Sequence, residues 1–124
     1  MLGNKEAAAT VAVRDLRATA KFYEETLGLK RIRSEEDVVM FSTGKSTLLV
    51  YESQYAGTNQ ATSVSWLVGE ELETIVRTLR SRGVEFEHYE LPDTERQGDL
   101  HVAGKRMCAW FKDPDGNIHA LTNS

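Results

Sequence analysis

A chain of 124 residues, 40% hydrophobic and 27% charged, has the size of one ordinary domain with one modest core. Its formal net charge of −4 argues against a nucleic-acid partner, its apolar runs are too short to span a bilayer, and its first residues lack the apolar stretch of a secretory signal. The single cysteine, Cys108, permits no internal disulfide, so the expected compartment is the cytoplasm.

In chain order, Val11 and Val13 alternate with small or polar neighbours and predict a strand ending near Val13. Asp15 then caps a helix predicted to run to about Leu27, with Leu16, Ala20, Tyr23 and Leu27 along its apolar side. Gly28 stands where a helix end favours a positive φ. Strands are predicted at Leu29–Arg33, Val38–Ser42 and Thr47–Glu52, the last two forming a hairpin around Thr43-Gly44-Lys45. The segment "SQYAGTN", Ser53 to Asn59, reads as a linker in which Tyr55 can also fold over a pocket mouth.

The pattern then restarts. Val64, Trp66 and Val68 alternate as a strand, with Trp66 expected to pack beneath the following helix. Leu72, Ile75, Val76 and Leu79 mark that helix, Gly83 ends it, and Val84–His88 reads as a strand. Glu90–Lys105 is polar and rich in turn formers, which fits either a flap over a pocket or a plain surface loop. Met107–Lys112 and Ile118–Thr122 form a second hairpin around Asp113-Pro114-Asp115-Gly116, whose acids read as turn formers. Val13 to Val68 and Gly28 to Gly83 are each 55 positions apart, so two strand-helix-strand-strand-strand copies lie in tandem. Gly44 to Gly116 is 72 positions, which leaves about 17 extra residues in the second copy, assigned to Glu90–Lys105.

Three pieces, "VAVRDLRATAKFYEETLGLK" (11–30), "YESQYAGTNQATSVSWLV" (51–68) and "AWFKDPDGN" (109–117), resemble the vicinal oxygen chelate superfamily and within it a glyoxalase-like subgroup. That superfamily includes glyoxalase I, bleomycin-resistance proteins, fosfomycin-resistance enzymes and extradiol dioxygenases. The resemblance implies an α+β fold: one domain over 1–124, with βαβββ modules at about 7–53 and 61–123 curling into a cup-shaped, barrel-like cavity, in a homodimer. It also implies four metal-ligand positions, which fall here at Ala8, Leu49, Ser63 and Ala120. Three of these carry no donor and the fourth only a hydroxyl, so no metal and no cofactor is expected.

The same mapping turns Trp110 and Tyr51 toward the cavity, where an amphipathic ring can grip a planar ligand; simple core packing is the competing role. Thr10, Thr47, Leu49, Ser63, Ser65 and Cys108 complete the expected wall. Cys108 and Tyr51 are the candidates for a catalytic role, with Arg106 on the face of Cys108 as the charge that can activate a thiol. A packed, unreactive cysteine is the alternative. His119 neighbours Ala120 and so belongs to the opposite face, as a structural histidine rather than a ligand. His88, Asp99 and His101 form either an unconventional metal cluster or part of a solvated acidic surface. The expected function is metal-free binding of an aromatic or amphipathic small molecule. The alternative is a lyase, isomerase or dioxygenase-like enzyme using Cys108, Tyr51 or ligands outside the family set.

Overall fold

The first strand, β1 (Ala9–Val13), buries Val11 and Val13 and turns Thr10 to the other face, as a two-residue period requires. The computed structural model describes every residue from Met1 to Ser124. Three carboxylates meet the backbone around the start of α1 (Leu16–Lys21). Asp15 Oδ1 accepts the Ala18 N–H at 3.2 Å, and Glu52 Oε1 accepts the Leu16 N–H at 3.0 Å. Asp115 is the third: its Oδ1 accepts the Arg14 N–H at 3.0 Å and its Oδ2 the Thr19 hydroxyl at 2.9 Å.

The helix expected to continue to Leu27 changes character after Lys21. Phe22–Thr26 is a π-helical turn, closed by the Leu27 N–H on the Phe22 carbonyl at 3.0 Å. One extra residue in the turn shifts Leu27 off the apolar stripe and leaves it half-buried, while Tyr23 is fully buried and stacks on Phe41 at 5.9 Å. Gly28 follows with φ +73°, and its counterpart Gly83 has φ +90°.

β2 (Lys30–Ser34), β3 (Val38–Thr43) and β4 (Ser46–Glu52) complete the first sheet, in the order β1-β4-β3-β2 with β1 parallel to β4. A two-residue Gly44-Lys45 turn joins β3 to β4, as the sequence predicts. Helix α1 packs on β3 and β4, against the face that buries Val39, Phe41, Leu48 and Val50.

The second copy runs β5 (Thr62–Leu67), a 3-10 turn (Gly69–Glu71), α2 (Leu72–Ser81), β6 (Phe86–Glu87), β7 (Glu95–Gln97), β8 (Leu100–Ala103), β9 (Arg106–Lys112) and β10 (Ile118–Thr122). Helix α2 buries Leu72, Val76 and Leu79, three of the four expected positions, with Ile75 half-buried. The sheet order is β5-β10-β9-β8-β7, and β5 is parallel to β10.

Two expectations need correction here. The strand read at Val84–His88 shortens to Phe86–Glu87. The stretch Glu90–Lys105 is not a loop, because it contains the β7–β8 hairpin, and β8 pairs with β9. The registers explain both. Phe86 and Glu87 face Phe111 and Trp110, then His101, Val102 and Ala103 face Cys108, Met107 and Arg106. β6 and β8 therefore lie end to end along one edge of β9, and the inserted segment is residues 88–100. The rest of the excess length is the turn at 113–117, longer than Gly44-Lys45.

By their contacts the residues form two compact units, Met1–Asn59 with Pro114–Asn117, and Gln60–Asp113 with Ile118–Ser124. The turn after β9 thus belongs with the first copy, where Asn117 Nδ2 also donates to the Ala12 carbonyl at 2.8 Å. The architecture is α+β, two sheets with few helices. No helix is long and apolar enough to cross a membrane.

Candidate functional site

In the first sheet, register puts Thr10 beside Leu49, Ala12 and Val38 beside Tyr51, and Met40 beside Leu49. Thr10, Thr47, Leu49 and Tyr51 therefore share the face opposite α1, as expected, but none of them is core. Tyr51 is 39% exposed, and no imidazole or carboxylate occupies a paired position on this face. Tyr55 is 70% exposed within a turn held by the Tyr55 N–H on Ser53 Oγ and by Thr58 Oγ1 on the Tyr55 carbonyl.

In the second sheet the alternation of β9 puts Arg106, Cys108 and Trp110 on one face. Ser65 and Ala120 pair on that face too, whereas Ser63 falls at a bulge between β5 and β10. The opposite face carries His119. It is fully buried, stacked between Phe111 at 4.9 Å and Trp66 at 6.1 Å, and its Nδ1 accepts the Trp66 Nε1–H at 3.0 Å. Burial lowers its pKa to about 4, which keeps it neutral. His119 is a core histidine, on the side away from Ala120.

The face of Trp110 carries a pocket of about 240 Å³. Arg106, Cys108 and Trp110 of β9 and His101 and Ala103 of β8 form its floor. Leu91 and Thr94 of the inserted segment form its wall. Trp110 and Cys108 are thus brought together as expected, while Ser63, Ser65 and the first-sheet residues do not line this pocket.

His101 was not expected here. It is only 3% exposed, which corrects its placement on a solvated acidic surface, and it lies directly across the strand pair from Cys108. Its Nε2 accepts the Tyr89 N–H at 2.9 Å. A nitrogen that accepts carries no hydrogen, so in the neutral ring Nδ1 holds the proton. Nδ1 is shut off from solvent, and neither it nor the Tyr89 hydroxyl makes a well-formed hydrogen bond. Burial, above all, lowers the pKa of His101; hydrogen bonding to the main chain at Cys108 and Asp99 opposes this, and the charges of His88 and Arg96 add to the fall. Burial and then Glu87 raise that of Tyr89. The rings of Tyr89, His101 and Trp110 pack together, His101 against Trp110 at 4.8 Å and 82°, and Tyr89 against Trp110 at 5.4 Å and 75°.

His88 and Asp99, the other two residues of the grouping with His101, pair with each other. His88 Nε2 meets Asp99 Oδ1 at 2.8 Å, and Arg80 Nε meets Asp99 Oδ2 at 3.4 Å. No group of three or more His, Cys, Asp or Glu side chains is arranged to hold a metal ion. The residues at the resemblance's ligand positions, Ala8, Leu49, Ser63 and Ala120, offer one hydroxyl and no imidazole or carboxylate. This donor set does not fit the family's divalent metals.

Comparison with known proteins gives a consistent picture of the fold. The family model described as Glyoxalase/Bleomycin resistance protein/Dioxygenase superfamily matches residues 7–121. An integron cassette protein from the mobile metagenome of the Halifax Harbour sewage outfall superposes with a TM-score of 0.73 at 18% identity, over 98% of this chain and 99% of its own. The fosfomycin resistance protein FosX from Mesorhizobium loti gives 0.70 at 10% identity, over 98% and 92%. The oxidase ChaP-H2 gives 0.71 at 22% identity, over 98% and 94%. No curated protein matches the sequence. At such identities the likeness is one of fold, and the named activities of these neighbours differ from one another.

Proposed function

The chain belongs to the Glyoxalase/Bleomycin resistance protein/Dioxygenase superfamily, and from that premise we propose that it is a metal-free binding protein that sequesters a small aromatic molecule in the pocket over β8 and β9. The observation that carries this is Trp110 on the floor of a mostly apolar pocket with few polar groups, the composition of a ligand site. Size narrows the ligand. A dry cavity of about 150 Å³ is enough for benzene, so about 240 Å³ suits one substituted ring rather than a fused system. The ring stacks on or against Trp110, and Leu91 covers it.

The enzymatic alternative through Cys108 needs a base. His101 stands across the strand from it, but Nε2 is occupied by the Tyr89 N–H and Nδ1 carries the proton. His101 is placed to donate, not to deprotonate a thiol. Tyr51 has no acid or base beside it on its own sheet face. Binding without turnover is the better match to these groups.

Calorimetric titration with single-ring compounds tests the proposal. Binding of at least one such compound is expected, with affinity reduced about tenfold or more by Trp110→Ala, the scale of losing one buried aromatic contact. Affinity unchanged in Trp110→Ala would sink it. Turnover lost on Cys108→Ser with the fold intact would replace it with the enzyme.

A further inference from the structure

The charges around this pocket are one-sided. Arg106 is the only charged residue lining it, and no carboxylate does. Two other surface hollows on the same unit mix signs: one is lined by Glu70, Glu73 and Arg77, the other by Glu73, Asp99, Arg77 and Arg80. Arg106 also forms no ion pair within the chain, unlike Arg80 with Asp99 or Lys112 with Glu87. A guanidinium without a carboxylate, at the edge of an apolar pocket, is a ready partner for a planar anion.

Geometry sets how far this charge stands from the ring of Trp110. Register places His101 between the two ends of the floor: it faces Cys108, with Arg106 two residues to one side and Trp110 two residues to the other. From Arg106 to Trp110 the strand spans about 13 Å. A long flexible arginine side chain brings its head well inside that span.

We propose that the ligand is a single-ring aromatic carboxylate, its ring on Trp110 and its carboxylate on the Arg106 guanidinium. This rests on the ring-binding reading above and adds the anion to it. Arg106 is the one positive charge that the pocket offers. A matched neutral amide retains the ring and one acceptor but loses the ion pair.

The test is a pair of probes of nearly one shape, phenylacetate and phenylacetamide, titrated calorimetrically into wild type, Arg106→Gln and Arg106→Lys. Arg106 is exposed, so neither variant threatens the fold. Phenylacetate is expected to bind at least tenfold more tightly than phenylacetamide, with the gap closing to within about twofold in Arg106→Gln and largely restored in Arg106→Lys. Equal affinity for the two probes, or a gap that survives Arg106→Gln, overturns the anion while leaving ring binding intact. If neither probe binds, and no other single-ring compound does, the ring-binding reading falls and this inference falls with it.

Discussion

In the first unit β2 runs along β3 from Lys30 to Ser34 with a single irregularity; in the second, the corresponding edge of β9 is covered by two short strands, β6 and β8, and the segment between them leaves the sheet after β6 and returns through β7, its outermost strand. The first sheet keeps an uncovered face carrying Thr10, Leu49 and Tyr51. The second gains Leu91 and Thr94 as a wall, and the returning strand brings His101 and Ala103 to the floor. Four of the seven lining residues therefore come from the interruption or the strand that follows it. One repeat unit, copied, supplies a scaffold; breaking its outer strand in one copy supplies a pocket. This is a low-cost change, because the edge of β9 stays paired and few backbone groups are left bare.

The two copies also differ in what they titrate, and this gives the largest expected effect. All three histidines lie in the second unit. His119 has a folded pKa of about 4 against an ordinary value of 6.5. With the folded pKa depressed, the unfolded chain takes up the proton first. The stability contributed by neutral His119 is full above pH 6.5, falls as pH drops toward 4, and is then lost, amounting to about 3 kcal/mol. The depressed pKa of His101 adds in the same direction. Chemical denaturation from pH 7 to 4 should show this decline, and His119→Phe should flatten most of it. Hydrogen exchange in the same window should rise first at β9 and β10 rather than at β3 and β4. A pH dependence equal in His119→Phe and wild type would break the comparison.

Much of this was legible in the sequence, for a physical reason. Strands with one buried face declare themselves by alternation, so β3 and β4 are each within one residue of their predicted bounds; β9, within one residue, and β10, which has the predicted bounds though buried throughout, are marked instead by the turn formers between them. Gly28 and Gly83 mark equivalent helix ends because both need positive φ. His101 was missed because its strand is four residues long inside a polar segment that reads as loop. A signal was there. Leu100 and Val102 alternate with His101 between Gly98-Asp99 and Gly104-Lys105, two turn dipeptides that bracket a short strand. The π-helical turn at Phe22–Thr26 left no such mark, since its residues suit an α-helix equally well.

The first unit should respond to sterics where the second responds to protons. A Cβ on Gly57 would sit 2.7 Å from the Asp115 carbonyl oxygen and 3.0 Å from Arg14 Nη2, and Gly57 has φ +77°. The nearer atom is backbone and cannot swing aside. Gly57→Ala should cost about 2–3 kcal/mol, combining left-handed strain with overpacking. Thermal denaturation measures it, and a loss below the effect of an ordinary surface substitution would show that the turn at Pro114–Asn117 yields freely.

Removing the carboxylate of that turn is a gentler probe of the same contacts. Asp115→Ala leaves the Arg14 N–H and the Thr19 hydroxyl without their acceptor, and Thr19 is buried. The expected loss is about 1–2 kcal/mol, with Asp115→Asn falling between the two because one amide oxygen remains to accept. Ligand affinity at the pocket over β8 and β9 should stay as in wild type, since Asp115 does not line it. An affinity change in Asp115→Asn without a stability change would instead make this acid part of a binding site.

The smallest effect belongs to the inserted segment and has the opposite sign. Asp93 is the one residue other than glycine with positive φ, at +52°, and it sits between Leu91 and Thr94 of the pocket wall. A left-handed aspartate costs less than a branched residue would, yet glycine takes that conformation freely. Glycine also loosens the unfolded chain, which takes back part of the gain. Asp93→Gly should therefore stabilise the fold by no more than about 0.5–1 kcal/mol. The useful comparison is with affinity. If the wall must be held rigid to cover the ring, the glycine variant gains stability but releases ligand faster, a split that kinetics of ligand release would resolve. Release unchanged alongside the stability gain would show that the wall is held by Leu91 and Thr94 packing on the floor, and that the left-handed residue only turns the chain.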